Sequence, residues 1–436
     1  MASEPILARA WRNKAIGDLM VCHLTKRDIV LCRLVCQSLA IHLAPLVFAD
    51  ITITFRSRAL SRPSRVAALE RIGNHIKAVT FRISHTAETF LPPVLDMVAG
   101  MEQTFAYMPQ GHWISSKIIK YGSREMTKLL IQQYPPLFHA STDVPSFVQA
   151  LSLMKCLRHL RINCEGQPPS HRYRRSVVDY ALISLRIAVE RAPLQSLESL
   201  SLLSIHPGAA LYLRPDLGFG ASPASRKRWS QIRSLIIHME SFPHHPGLPT
   251  DHFKLLHAYL QSFPELRRIT FHWKGERGLS PLSLATEPCL QNKSKAALSQ
   301  RRPSHQRLSL SPLRFRHLEK MEMVNAITDA SQIASFIYDH RYTLREFNFQ
   351  NTTLRNGTWD DALAPLTRRK GPEPWKEEEE DSEKGPVDVP IMLTPAGINQ
   401  QQLQRVLCAA KRQRGGKAVG KSRSHEAAIT SVLTWK

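Results

Sequence analysis

Apolar residues recur at helical spacing through Ile16, Leu19, Met20 and Leu24, pause over Thr25-Lys26-Arg27-Asp28, and resume at Ile29, Leu31, Leu34, Val35, Leu39 and Leu43. This spacing predicts two short helices and a tail. Asp28 is placed to cap the second helix by accepting a backbone N–H, and Pro45 marks its end because proline has no N–H to donate. The run Phe48-Ala49-Asp50-Ile51-Thr52-Ile53-Thr54-Phe55 then alternates apolar and polar residues, which predicts a strand with one buried face. The helices therefore lead directly into a sheet.

A short phrase follows and recurs: apolar, two residues, apolar, one residue, apolar. It occurs as Ile76, Val79, Phe81; Leu157, Leu160, Ile162; Leu197, Leu200, Leu202; Ile232, Leu235, Ile237; Leu266, Ile269, Phe271; Leu318, Met321, Met323; and Leu344, Phe347, Phe349. The last two positions alternate as a strand does, and the first anchors the turn before it, so each copy predicts one strand of a stacked array. Between copies lie segments with helical periodicity: Val178, Leu182, Leu185 and Val189; Phe253, Leu256, Leu260 and Phe263; and Ile333, Phe336 and Ile337, opened by Asp329 as N-cap with Gln332 three residues on. A strand, a crossover helix and another strand imply a parallel sheet with outer helices, in α/β class. The expected form is a curved solenoid.

Regular leucine-rich repeats have a period of about 20 to 29 residues and an Asn three places after the last strand leucine. Here the first positions from Leu157 onward are separated by 40, 35, 34, 52 and 26 residues, and Glu165, Ile205, Glu240, Lys274, Ala326 and Thr352 occupy the Asn places. An irregular array without an Asn ladder is expected.

Composition adds two unstructured stretches. Residues 276–312 are rich in Ser, Gln, Pro, Lys and Arg and include Ser280-Pro281 and Ser311-Pro312, so they predict a disordered insertion. From 367 to 436 the chain reads as a mostly disordered charged tail, with the acidic run Glu377-Glu378-Glu379-Glu380-Asp381, a short helical pattern through Leu403, Val406, Leu407 and Ala410, and the basic cluster Lys411-Arg412-Gln413-Arg414. The formal net charge of +23 is spread over almost every segment rather than gathered on a reading helix or among aromatics, so specific nucleic-acid recognition is not expected. Seven cysteines without a CxxC pair suit reduced thiols inside a cell, in cytoplasm or nucleus, and no apolar run reaches the length of a membrane span.

Motifs for catalysis are missing: no Gly-x-Ser-x-Gly elbow, phosphate-binding glycine loop, dinucleotide turn or His-Glu-x-x-His pair is present. Cys22, His23, Cys32 and Cys36 lack the close spacing of a zinc site and are expected to be buried thiols acting as small hydrophobes. No enzymatic activity, cofactor or metal is expected.

Leu24, Asp28-Ile29, Arg33-Leu34-Val35-Cys36, Leu39 and Pro45-Leu46-Val47-Phe48 together resemble an F-box. With the strand phrases behind them, the layout resembles the fungal F-box proteins that carry irregular leucine-rich arrays. The resemblance implies an F-box-like helical module at 12–48, an irregular leucine-rich-repeat-like array at 49–366 containing the 276–312 insertion, and the tail at 367–436. It also implies a role: the module binds the Skp-type adaptor of a cullin–RING (SCF-type) ubiquitin ligase, the array captures a protein substrate, and other subunits perform the chemistry. Leu19, Leu24, Ile29, Leu34 and Val35 are the expected adaptor contacts, some of them shared with the module's own core. The family's opening Leu-Pro is replaced by Arg12-Asn13, and Gly17 and Asp18 stand where apolar helix residues belong. A non-ligase interaction scaffold with a decayed F-box is the alternative, and a basic nucleic-acid-associated protein the third reading.

Overall fold

A computed structural model describes residues 13–91, 136–166, 176–215, 223–241, 251–287 and 310–367. The described residues open with three helices rather than the expected two: α1 (Lys14–Cys22), α2 (Lys26–Cys32) and α3 (Gln37–Val47). Asn13 caps α1 by accepting from the Ala15 N–H at 3.1 Å, so the helix forms across Gly17 and Asp18. The cap of α2 is Thr25. Asp28 sits in the first turn and accepts from the Thr25 N–H at 3.1 Å and its hydroxyl at 2.6 Å, completing a capping box. The apolar spacing that looked continuous breaks at Arg33–Cys36, because Ile29, Leu39, Leu43 and Val47 form the inward stripe while Leu34 and Val35 fall off it. Helix α3 runs through Pro45 to Val47, near enough to its end that the missing N–H removes a single helical bond.

Each apolar phrase then forms a strand. The array begins β1 (Asp50–Thr54), α4 (Pro63–Ile72), β2 (Ala78–Arg82), α5 (Pro136–Thr142), α6 (Val144–Ser152), β3 (His159–Asn163), α7 (Val177–Arg191), β4 (Ser199–Ile205), α8 (Ala209–Leu213) and α9 (Pro223–Ser230). It continues β5 (Ser234–Glu240), α10 (Asp251–Leu260), β6 (Arg268–Lys274), β7 (Gly278–Leu279), β8 (Lys320–Val324), β9 (Ala326–Thr328), α11 (Ala330–Asp339), β10 (Glu346–Gln350), β11 (Thr353–Leu354) and α12 (Trp359–Thr367). The main sheet has eight strands in the order β1-β2-β3-β4-β5-β6-β8-β10, every pair parallel. Chain order is kept from one edge to the other, so successive crossovers carry the chain in one direction.

Register explains why the phrase repeats. Val79, Leu160, Leu200, Leu235, Ile269, Met321 and Phe347 align across the sheet, as do Phe81, Ile162, Leu202, Ile237, Phe271, Met323 and Phe349. A one-residue slip would turn every such ladder toward water. The first position of each copy is buried from Ile76 to Leu318, beneath the turn that enters the strand. There the carbonyls of Ala49, Lys77, Arg158, Glu198, Arg233, Arg267 and Glu319 each accept two successive N–H groups of the next copy at 2.8–3.0 Å. These strand residues share one core with α6, α7, α10 and α11, while alternate strand positions remain half-buried or exposed on the other face.

A second, three-stranded parallel sheet, β11-β9-β7, follows the corner where the last three copies turn. Asn325 and Asn351 occupy that corner at φ +62° and +53°, two places after the last apolar strand position rather than three. Asn351 Nδ2 donates to Asn325 Oδ1 at 2.9 Å, and Asn325 Nδ2 donates to the carbonyls of Trp273 at 3.0 Å and Gly275 at 2.9 Å. The three-place positions of these two copies hold Ala326 and Thr352, so the asparagine pair is a separate feature one place nearer the strand.

The expected disordered insertion at 276–312 does not hold over 276–287. Leu279, Leu282 and Leu284 are buried along β7 and a 3-10 turn at Pro281–Thr286, and Glu287 is 2% exposed. Leu313 and Phe315 bury their side chains after the segment, and Ser311 accepts from His257 Nε2 at 2.7 Å through its carbonyl. Ser280 of the first Ser-Pro pair is buried, which removes it as an exposed loop site. Residues 288–309 and the tail features from Glu377 to Arg414 lie outside the described residues.

Candidate docking surfaces

The helical module has a core of its own. Ile29, Leu39, Leu43 and Val47 are buried together, with Met20, Val21, Leu24, Val30, Cys32, Cys36 and Phe48 packed around them, and none of these residues belongs to the array's core. The Arg33 guanidinium lies 4.4 Å over the Phe48 ring and donates to the Ala40 carbonyl at 3.3 Å, holding the α2–α3 turn closed. The module joins the array through the short link into β1 and a Lys26 Nζ bond to the Asp50 carbonyl at 3.4 Å.

Against this small core stands a surplus of apolar surface. All the large aliphatic side chains exposed among the described residues lie in one segment: Ile16, Leu19, Leu31, Leu34, Val35, Ile41 and Leu46. A single exposed leucine is ordinary, but their concentration in one small module makes it the candidate docking surface. The five expected contact residues divide between roles. Leu19 (63% exposed), Leu34 (79%) and Val35 (69%) face solvent, whereas Ile29 (8%) is core and Leu24 packs half-buried against it. Leu31 and Ile41 were not singled out from sequence; their signal is that both lie off the helical stripe their neighbours bury. Cys22 is exposed, and Cys32 and Cys36 are half-buried, so full burial holds for none of the three.

The second surface is the open face of the main sheet. Acidic groups there are already engaged: Asp50 accepts from Arg161 Nη1 at 2.7 Å, Glu346 from Lys320 Nζ at 2.7 Å, and Glu165 from Asn163 Nδ2 at 2.6 Å and Arg82 Nη2 at 2.7 Å. Bonds from Asn163 and Arg82 hold the Glu165 carboxyl below its ordinary range. His238 and His272 face each other across β5 and β6 with ring centroids 5.4 Å apart. Burial lowers both imidazoles, with Lys274 and, for His238, its partner His272 adding to the effect, and Glu322 opposes it.

One pair on this face has the residue types of a nucleophile and a base: His159 Nε2 lies 2.7 Å from Ser201 Oγ. Ser201 is 2% exposed, so its hydroxyl is closed to a substrate carbonyl, and the bond ties β3 to β4. Among the described residues no group of three or more His, Cys, Asp or Glu side chains is placed to hold a metal ion, and no helix is long and apolar enough to cross a membrane. No family model matches the chain, and no curated protein matches it.

Proposed function

We propose that this chain is the substrate-recognition subunit of a cullin–RING ubiquitin ligase: a non-enzymatic, intracellular adaptor with an F-box-like module and a leucine-rich-repeat-like solenoid. The observation that carries the reading is the collection of exposed aliphatic side chains on a helical module whose own core needs only a few of its apolar residues. Such side chains, once desolvated in a partner's pockets, supply most of the energy of a protein interface. The solenoid reading is supported by parallel strands in chain order and by the Asn325–Asn351 pair at the corner. In this role the module docks on the Skp-type adaptor through Leu19, Leu34 and Val35, with Leu24 and Ile29 setting the shape beneath them, and the array holds the protein to be modified.

Co-purification of the full chain with a fungal Skp-type adaptor tests the proposal. Wild type is expected to bind at micromolar concentration or tighter, and Leu34→Asp with Val35→Asp to abolish binding without lowering the melting temperature, since both positions are solvent-exposed. No binding by wild type, or unchanged binding by the double variant, overturns it. Asp18, a charge exposed beside Leu19 on α1, favours the second reading, a scaffold that binds its partner without a ligase. That reading is supported if a partner is captured while its abundance stays the same when the chain is deleted.

A further inference from the structure

Ser-Pro or Thr-Pro occurs four times in the chain, at Ser222, Ser280, Ser311 and Thr394. Only after Ser311 is the third residue on a cation: it is Arg314 there, against Ser225, Ser283 and Gly397 at the other three. Ser280 is buried, whereas Ser311 and Pro312 are exposed on a stretch, 310–315, that is neither helix nor strand. Side chains alternate along it. Leu313 and Phe315 are each 3% exposed and anchor the stretch, while the Arg314 side chain between them is 74% exposed. Its ion pair with Asp339 is long, at 3.7 Å, and a surface pair of that kind is weak. Ser311 is positioned by α10 and the turn after it: its carbonyl accepts from His257 Nε2 at 2.7 Å, and its Oγ accepts from Gln261 Nε2 at 2.8 Å. Because Oγ is the acceptor in that bond, the bond does not engage its own proton.

We propose that Ser311 is a phosphorylation site for a proline-directed protein kinase that prefers a cation three residues on. Such an enzyme binds its substrate as an extended chain. Proline after the acceptor brings no N–H that an apolar wall of the kinase would leave without a partner, and a guanidinium at the third place forms charge-assisted bonds with an anionic group of the enzyme. Here Ser311, Pro312 and Arg314 are exposed, and Leu313, the one residue among them that the fold buries, is the one such a kinase does not read. In the transfer, Ser311 Oγ bonds to the γ-phosphorus of ATP as the bond from that phosphorus to the β–γ bridging oxygen breaks. The hydroxyl proton passes to a carboxylate of the kinase, and ADP leaves. The product carries about two negative charges beside His257 and Gln261, in a chain whose formal net charge is +23. Modification of Ser311 does not depend on the ligase role proposed above.

Incubation of the full chain with a purified cyclin-dependent kinase and magnesium ATP tests the proposal, with phosphate at each site read by tandem mass spectrometry. Ser311 is expected to be modified in the folded chain at a rate within about tenfold of that for a synthetic peptide spanning 305–320. Arg314→Ala is expected to lower kcat/KM at Ser311 about tenfold, and Arg316→Ala, an equal loss of exposed charge two places further on, by less than about twofold. An unfolded variant would be modified faster rather than slower, so a slower rate at Arg314→Ala reports recognition and not damage. Phosphate on the peptide with none on Ser311 of the folded chain would mean that the anchoring of Leu313 and Phe315 hides the hydroxyl, and overturns the site. Absence of phosphate from Ser311 in both has the same force. Equal rates for wild type and Arg314→Ala, or equal losses in the two arginine variants, overturn the specificity assigned to Arg314.

Discussion

Asp179 sits in the first turn of α7, where its carboxylate accepts from the Ser176 N–H at 2.9 Å and completes a capping box. Burial outweighs that bond and pushes its pKa up from 3.8 to about 7. A carboxyl raised on folding binds its proton more tightly in the folded chain, so it favours folding at low pH, and that contribution is lost as pH rises from about 4 through about 7. Asp179→Asn keeps an oxygen for the Ser176 N–H and removes the titration. Thermal melts from pH 5 to 8 should therefore fall less steeply for the variant, and parallel curves would contradict the assignment. Glu287 is the opposite case, a buried carboxylate with a cation. Arg355 meets it with both Nη atoms at 2.6 and 2.9 Å while also bonding Asp329 at 2.8 Å, and Gln332 Nε2 donates to it at 3.2 Å. Arg355→Met leaves Glu287 buried without that cation, which is expected to cost roughly 3–5 kcal/mol in urea unfolding. Adding Glu287→Gln should recover a large part of the loss; no recovery would mean that Arg355 acts through Asp329.

At the scale of elements, the corner at Asn325 joins three copies of the array. Its side chain reaches back to the Trp273 and Gly275 carbonyls and forward to Asn351, and its backbone holds φ +62°, a region that asparagine tolerates better than alanine. Asn325→Ala is expected to cost about 2–3 kcal/mol, and Asn325→Gly, which relieves the backbone but not the lost bonds, about 1–2 kcal/mol. Equal losses in the two variants would assign the whole cost to the side-chain bonds. Elements of this kind mark the limit of what the sequence discloses. Strands were legible because Leu160, Leu200, Leu235 and their counterparts repeat a spacing that burial demands, and α11 because Asp329 and Gln332 announce its start. The corner was not, since its asparagines stand one place nearer the strand than the regular repeat puts them. Strands β7, β9 and β11 span two or three residues, too few for alternation to register. Residues 276–287 have a polar composition, yet three interleaved leucines are enough to fix them against the core. The helical module was legible as apolar helix, but composition alone does not separate Ile29, which its own chain covers, from Leu34, which it leaves exposed.

At the scale of the whole molecule, the decisive feature is that, among the described residues, the module's core and the array's core share no residue. The array buries one continuous core from Ala59 to Ala362, whereas the module rests on Ile29, Leu39, Leu43 and Val47 with a rim of half-buried neighbours. A module of this size buries little apolar area and is marginally stable, so a substitution worth a few kcal/mol is comparable to its whole stability. Leu43 is fully buried, and Leu43→Ala removes about 2–5 kcal/mol. The module should then unfold on its own while the array stays intact. Trp229 and Trp273, buried in the array, report the array's denaturation through their fluorescence, and amide hydrogen exchange over 26–47 reports the module. The expected outcome is loss of protection over 26–47 with an unchanged midpoint for tryptophan emission, accompanied by loss of adaptor binding. Leu34→Asp with Val35→Asp should lose the adaptor and keep its protection, which distinguishes a missing contact from a missing fold. A tryptophan midpoint that falls together with amide protection would mean that the Lys26–Asp50 link and the paired N–H groups at Ala49 couple the two cores into one cooperative unit, and docking at one end would then be felt along the sheet.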